Sequence, residues 1–105
     1  MTNDYSVVIT TTSNEEKAAD LAASIIAAKL AACVQIQTIK SVYSWKGETC
    51  FEPECLLLIK TKSELYTQLE AHIKGHHDYE TPEIIQLPVM AGSAEYLAWV
   101  RESTL

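Results

Sequence analysis

Short β-branched runs and stretches with apolar residues at helical spacing alternate along the chain. Tyr5 to Thr11 (YSVVITT) is a β-branched run of strand length. Ser13-x-x-Glu16 follows as a capping-box signature, with Glu15 and Glu16 suited to the positive end of a helix dipole. Ala18, Leu21, Ala22, Ile25 and Lys29/Leu30 then recur at 3.6-residue spacing, which predicts a first helix from about Asn14 to Ala31. Its many alanines let it lie close on a sheet.

Cys33 to Trp45 (CVQIQTIKSVYSW) shows no helix period and runs into Lys46-Gly47, after which a second extended stretch covers Glu48 to Thr61. This pattern predicts a long β-hairpin. Each arm would reach roughly 43 Å at a strand's rise per residue, whereas a compact body of this length is only about 33 Å across. The hairpin must therefore bend or overhang. An overhanging arm exposes unpaired N–H and C=O groups, and a second subunit is the expected cover. Val34 and Ile36 share one face, but Ile39, Tyr43 and Trp45 fall in the opposite phase, so a β-bulge is expected near Thr38. Pro53 on the other arm interrupts at nearly the same level. A base (about 33–39 and 54–61) should complete the chain's own sheet, while a tip (about 41–52) reaches a neighbour. A shorter hairpin with a loose tip is the alternative.

Ser63 is placed to cap a second helix with an apolar stripe of Leu65, Leu69 and Ile73, and Gly75 to stop it. Pro82 introduces the strand Glu83 to Val89, in which Pro88 marks an edge or an end. Ser93 caps a short last helix bearing Tyr96, Leu97, Trp99 and Val100. The order β-α-β-β-α-β-α predicts an α+β fold of the ferredoxin-like split βαβ kind: a four-stranded antiparallel sheet, two helices on one face, a long bent β2-β3 hairpin and a short C-terminal helix. A sheet covered on one face again calls for a neighbour on the other.

With 105 residues and no Pro/Gly/Ser-rich linker, residues 1–105 read as a single domain. The formal charge is −6, with the eight Lys and Arg scattered, so neither nucleic acid nor anionic membrane is an expected partner. The start MTNDYSVVITT lacks a basic region and a cleavable apolar core, so cytoplasmic residence is expected. Cys33, Cys50 and Cys55 lack CxxC spacing, and each reads as a reduced, buried free thiol. Cys50 and Cys55, five apart, should face opposite sides of their strand. No phosphate loop or nucleophile motif is present, so no catalytic residue and no enzyme are expected. Glu52/Glu54 and Glu15/Glu16 read as a solvated strand and a helix N-terminus.

Taken together, LAACVQI, SVYSWKG, LLLIKT, HHDYETPEII and YLAWV resemble the CutA family, the divalent-cation tolerance proteins, in order and over nearly the whole chain. The resemblance implies a small cytoplasmic ferredoxin-like homotrimer built through its long strands. It also implies binding of copper or another divalent cation and a part in metal tolerance. The family's metal site is associated with paired histidines, here His76 and His77, and in some bacterial members with a cysteine whose place falls at Thr11. A hydroxyl is a poor copper ligand beside a thiolate, so any Cu²⁺ should not be tightly bound.

Two sites follow. His76-His77-Asp78-Tyr79-Glu80 lies in the turn after the second helix, where imidazoles and carboxylates could form a weak metal shell. A solvated polar turn is the alternative, and His72 would share a helix face with His76 only if the helix continued past Gly75. The second constellation is Tyr43, Trp45, Lys60, Tyr79 and Glu83, which could wall a cleft between subunits. Its alternative is a structural ion pair among interface aromatics. A small-effector signalling trimer of the PII-like type, by analogy of fold alone, and a purely structural scaffold are the competing readings of function.

Overall fold

The structure, a computed structural model, describes residues 3–105. β-branched and apolar residues build β1 (Tyr5–Thr12), β2 (Cys33–Trp45), β3 (Glu48–Lys62) and β4 (Ile84–Pro88). The alanine-rich and Leu/Ile-striped segments form α1 (Glu15–Ala27) and α2 (Tyr66–His76), and α3 (Ala94–Glu102) closes the chain. The strands make one antiparallel sheet in the order β2-β3-β1-β4. This is the expected α+β, ferredoxin-like arrangement. Ala18, Leu21 and Ile25 of α1, Leu69 and Ile73 of α2, and Val8, Leu57 and Ile59 of the central strands join in a single buried core. Both helices therefore cover the same face of the sheet. Over the other face, α3 packs on β3, with the Arg101 guanidinium above the Tyr5 ring and bonded to its hydroxyl.

The helix ends differ from the expected ones for local reasons. Asn14, not Ser13, caps α1: its side chain accepts the Lys17 N–H at 2.8 Å. The helix stops at Ala27 rather than Ala31 because Lys29 turns into the left-handed region (φ 58°). Lys29 then donates to the Ile26 carbonyl (3.0 Å) and Leu30 to that of Ile25 (3.1 Å), a Schellman closure that folds buried Leu30 back over buried Ile25. Lysine bears a steric cost in this conformation that glycine does not. Lys29→Gly is accordingly expected to raise the unfolding free energy by about 1 kcal/mol, read from the denaturant midpoint at constant slope.

At the start of α2, Ser63 caps nothing. A 3₁₀ turn over Ser63–Leu65 precedes the helix, and the Ser63 hydroxyl bonds that of Ser6 instead (2.7 Å). Nor does Gly75 stop the helix, which runs through it to His76 with a conventional φ.

The hairpin is as long as expected, but it carries no bulge. Its pairing runs without interruption from Cys33 opposite Lys60 to Trp45 opposite Glu48. Lys46 and Gly47 both have positive φ (51° and 83°), the two-residue turn that suits the strands' twist. Counting from the hydrogen-bonded pair beside such a turn, Lys40–Pro53 is a pair without ladder bonds. Pro53 therefore costs the β2–β3 ladder nothing. It also lies beyond Cys55, the last β3 residue paired with β1, so its missing N–H falls on a free edge. The hydrophobic phase changes because the cover changes: Val34 and Ile36 lie on the helix side, whereas Ile39, Tyr43 and Trp45 lie on the opposite face, past the reach of the helices. The molecule extends 44 Å along its longest axis, and its radius of gyration of 14.3 Å exceeds the roughly 13 Å of a compact chain this long.

Candidate functional site

The turn after α2 brings residues 76 and 77 to unlike surroundings. The helix presents His76 to solvent, and its Nδ1–H donates to the His72 carbonyl at 2.8 Å. The chain then leaves the helix in an extended conformation at His77 and carries that ring inward, leaving the side chain 2% exposed. The Tyr79 N–H donates to His77 Nδ1 (3.1 Å), so the ring's proton sits on Nε2, which donates to the Thr11 carbonyl at 2.6 Å. That carbonyl lies one residue past Thr10–Ile84, the last rung between β1 and β4. His77 thus replaces a missing strand partner, and both of its nitrogens are committed. Asp78 Oδ1 lies 3.7 Å from His77 Nδ1, which already accepts the Tyr79 N–H. Asp78 instead pairs with Lys17, and chiefly through that hydrogen bond its carboxyl is held below the usual range.

The continuation of α2 past Gly75 stacks His72 on His76, with ring centroids 4.2 Å apart and planes 22° from parallel. Burial, and then the charge of His76, lowers the His72 pKa. Beside them a cavity of about 210 Å³ is lined by Thr12, Lys17, Asp20, Leu21, His76, His77 and Asp78. The i, i+4 spacing of His72 and His76 was the sequence signal for this pair, hidden by reading Gly75 as a stop. Among the described residues, no group of three or more His, Cys, Asp or Glu side chains is placed to hold one metal ion.

Of the second constellation, Tyr43, Trp45, Tyr79 and Glu83 line one groove of about 800 Å³ between the hairpin tip and the segment from Asp78 to Glu83. Lys60 does not join them. It lies at the far end of β3, opposite Cys33 and Val7, where its ammonium donates to Gln35 Oε1 (2.9 Å). Six residues of extended chain separate it from Glu54, roughly 20 Å, so within one subunit Lys60 and Glu83 form no ion pair.

Glu52 and Glu54 belong to the groove instead, because they alternate onto the same face of β3 as Cys50. Cys55 points the other way and is buried, as its odd separation from Cys50 requires. The Tyr43 hydroxyl donates to Glu52 (2.7 Å) and that of Tyr79 to Glu54 (2.6 Å). The bond to Glu52 pushes Tyr43 up to about 12, and burial followed by Glu54 pushes Tyr79 up further. Both phenols therefore remain donors at any physiological pH. With Asp78, Glu80 and Glu83 the groove holds five carboxylates. Lys46, over the Trp45 ring and 4.0 Å from Glu80, sits at the hairpin tip. The groove favours cations over anions.

Residues 6–103 match the family described as CutA1 divalent ion tolerance protein. The Oryza sativa subsp. japonica "Protein CutA 1, chloroplastic" is 46% identical over 99 residues, which are 93% of this chain and 56% of that protein. The "Divalent-cation tolerance protein CutA" of Thermus thermophilus is 41% identical over 99 residues, 93% of this chain and 96% of that protein. The chain thus spans about half the length of the rice relative and nearly all of the bacterial one. The crystal structure of CutA1 from Oryza sativa superposes with a TM-score of 0.94 at 45% identity, covering 99% of this chain and 96% of that one.

Proposed function

The chain belongs to the CutA1 divalent ion tolerance family, and we propose that it is a homotrimer that binds divalent cations weakly, copper in preference, and so contributes to metal tolerance. The observation that carries the binding is the exposed imidazole of His76. Its Nδ1–H is fixed on a carbonyl, which leaves the Nε2 lone pair for a cation. His77, by contrast, is committed at both nitrogens. Imidazole suits Cu²⁺, Ni²⁺ and Zn²⁺ better than Mg²⁺ or Ca²⁺. A shell short of three protein ligands accounts for weak rather than tight retention.

Assembly is supported by surface. The accessible area of 6480 Å² exceeds the roughly 5,900 Å² of a compact monomer of this mass. Ile85 and Leu87 are exposed on the face away from α1 and α2, and Val42 and Phe51 at the hairpin tip. The number three rests on the family resemblance.

The test is calorimetric titration of Cu²⁺ into the wild type and into His76→Ala, with sedimentation equilibrium on both. A saturable wild-type signal lost in His76→Ala, at three times the 11.7 kDa of one chain, is the expected result. Equal affinity in the two proteins would remove His76 from the site. A PII-like effector role has the aromatic groove in its favour, and the five carboxylates there would select a cationic effector. A cationic small molecule released on denaturing the purified protein would support that reading.

A further inference from the structure

We propose that His72 and His76, not His76 and His77, form a two-imidazole chelate for a borderline divalent cation such as Cu²⁺, Ni²⁺ or Zn²⁺, on the side of α2 where His76 lines the cavity against α1. The proposal rests on the cation-binding reading above and names its ligands.

Residues four apart lie one above the other on a helix face. This is the histidine spacing that metal-binding helices use. Here the spacing is realised only because α2 does not stop at Gly75. The two rings stack with centroids 4.2 Å apart and planes 22° from parallel, so shared coordination requires them to turn toward one another.

The hydrogen bonds decide which nitrogens are available. Ser24 Oγ donates its proton to the Leu21 carbonyl at 2.8 Å. It must therefore accept from His72 Nε2, also at 2.8 Å. His72 is thus the Nε2–H tautomer, with its lone pair on Nδ1. His76 is the Nδ1–H tautomer, with its lone pair on Nε2. Each ring donates its one N–H to a fixed oxygen and presents one bare nitrogen. Ligating histidines are held in this way by their outer partners. His77 fails the same test, since its Nδ1 is already an acceptor.

The cavity borders the pair through His76 and offers room for water ligands. Its volume of about 210 Å³ admits several waters at roughly 30 Å³ each. Asp20, on the α1 turn preceding Ser24, lines the same space and adds negative charge, while Asp78 offsets the charge of Lys17. Two imidazoles with water in the other positions describe a site that fills and empties readily.

The test uses the full chain at neutral pH. Cu²⁺ bound to the wild type should show two coupled nitrogens by electron paramagnetic resonance. In isothermal titration with Ni²⁺, His72→Gln and His76→Gln should each weaken binding by about tenfold or more. Glutamine at 72 retains an N–H for Ser24. Ser24→Ala, which leaves both ligands in place, should weaken binding by about tenfold through loss of the oriented tautomer. A single coupled nitrogen, or wild-type affinity in His72→Gln alongside loss in His76→Gln, overturns the chelate and leaves the cation-binding reading standing. No Ni²⁺ or Cu²⁺ binding by the wild type overturns both. A single coupled nitrogen on the wild type overturns the chelate even if a variant fails to fold, and two nitrogens that persist in His72→Gln overturn it as well.

Discussion

Replacing Phe51 by aspartate is expected to leave each chain folded and to dissociate the proposed trimer into monomers. Phe51 is 68% exposed in the single chain, and Val42, directly opposite it, is 58% exposed. Both lie on the helix side of the sheet, beyond the helices, where nothing of their own subunit covers them. A phenyl ring so exposed contributes little to the monomer's core, so removing it should leave the chain's own melting behaviour within about 0.5 kcal/mol. In an interface the same ring contributes roughly 2–3 kcal/mol on burial. A carboxylate in its place adds a desolvation cost of at least similar size. Symmetry repeats the loss at every equivalent contact. A change of about 4 kcal/mol per contact corresponds to roughly a thousandfold in the dissociation constant. Sedimentation equilibrium over a dilution series reads it. Trimers of unchanged affinity in Phe51→Asp would place the interface elsewhere than the hairpin tip.

The element order, strand pairing and core were legible because they rest on signals that alternate or recur over many residues. A run such as Cys33 to Trp45, without a helix period over thirteen residues, favours a long strand over a shorter hairpin with a loose tip, and two residues with Gly second leave little choice of turn. The errors fell where one residue was asked to decide. Gly75 was read as a stop, although glycine at an exposed helix position costs only about 1 kcal/mol and one further turn residue can absorb it. Ser13 and Asn14 are both competent caps, and only the backbone geometry selects Asn14. The phase change at Thr38 was read as an extra residue. It reports instead that a strand longer than its own helices must satisfy a different cover on each half. Hydrophobic phase measures burial, and register follows from it only while the burying layer stays the same.

The candidate sites divide on the same principle. Tyr43, Trp45, Tyr79 and Glu83 do gather, because the hairpin tip and the segment before β4 lie at one end of the sheet. Lys60 was grouped with them for a cleft between subunits, and within one chain the β3 register puts it at the other end of the strand. Glu52 and Glu54 were set aside as a solvated strand although they alternate with Cys50 onto the aromatic face. The adjacency of His76 and His77 suggested a pair, yet adjacency at a helix end is where side chains part. One remains on the helix face, and the other follows the extended chain inward. Thr11, where the resemblance puts the cysteine of some bacterial members, does reach His77, but through its backbone carbonyl. No sequence pattern signals that contact, since it depends on β4 starting one residue too late to pair there.

That contact carries the second large effect. His77→Ala is expected to destabilise the chain by roughly 3–4 kcal/mol. The substitution removes the partners of two backbone groups, the Thr11 carbonyl and the Tyr79 N–H, each costing about 1–3 kcal/mol when left unpaired. It also empties the space of a ring with almost no solvent exposure. His76→Ala, at an exposed helix end, should cost no more than about 0.5 kcal/mol. His77→Asn separates the two bonds. Its amide oxygen can accept the Tyr79 N–H in the same i to i+2 turn, but the side chain is too short to reach Thr11. Its stability should therefore fall between that of the wild type and that of the alanine variant. Chemical denaturation of the three variants, with amide exchange at Tyr79, reads the series: exchange should accelerate in His77→Ala and remain slow in His77→Asn. Equal stabilities for His76→Ala and His77→Ala would mean that His77 does not hold the turn to β1 and is free to serve as a ligand. A large gap between them assigns His77 to the fold and leaves the cation to the helix-face imidazoles.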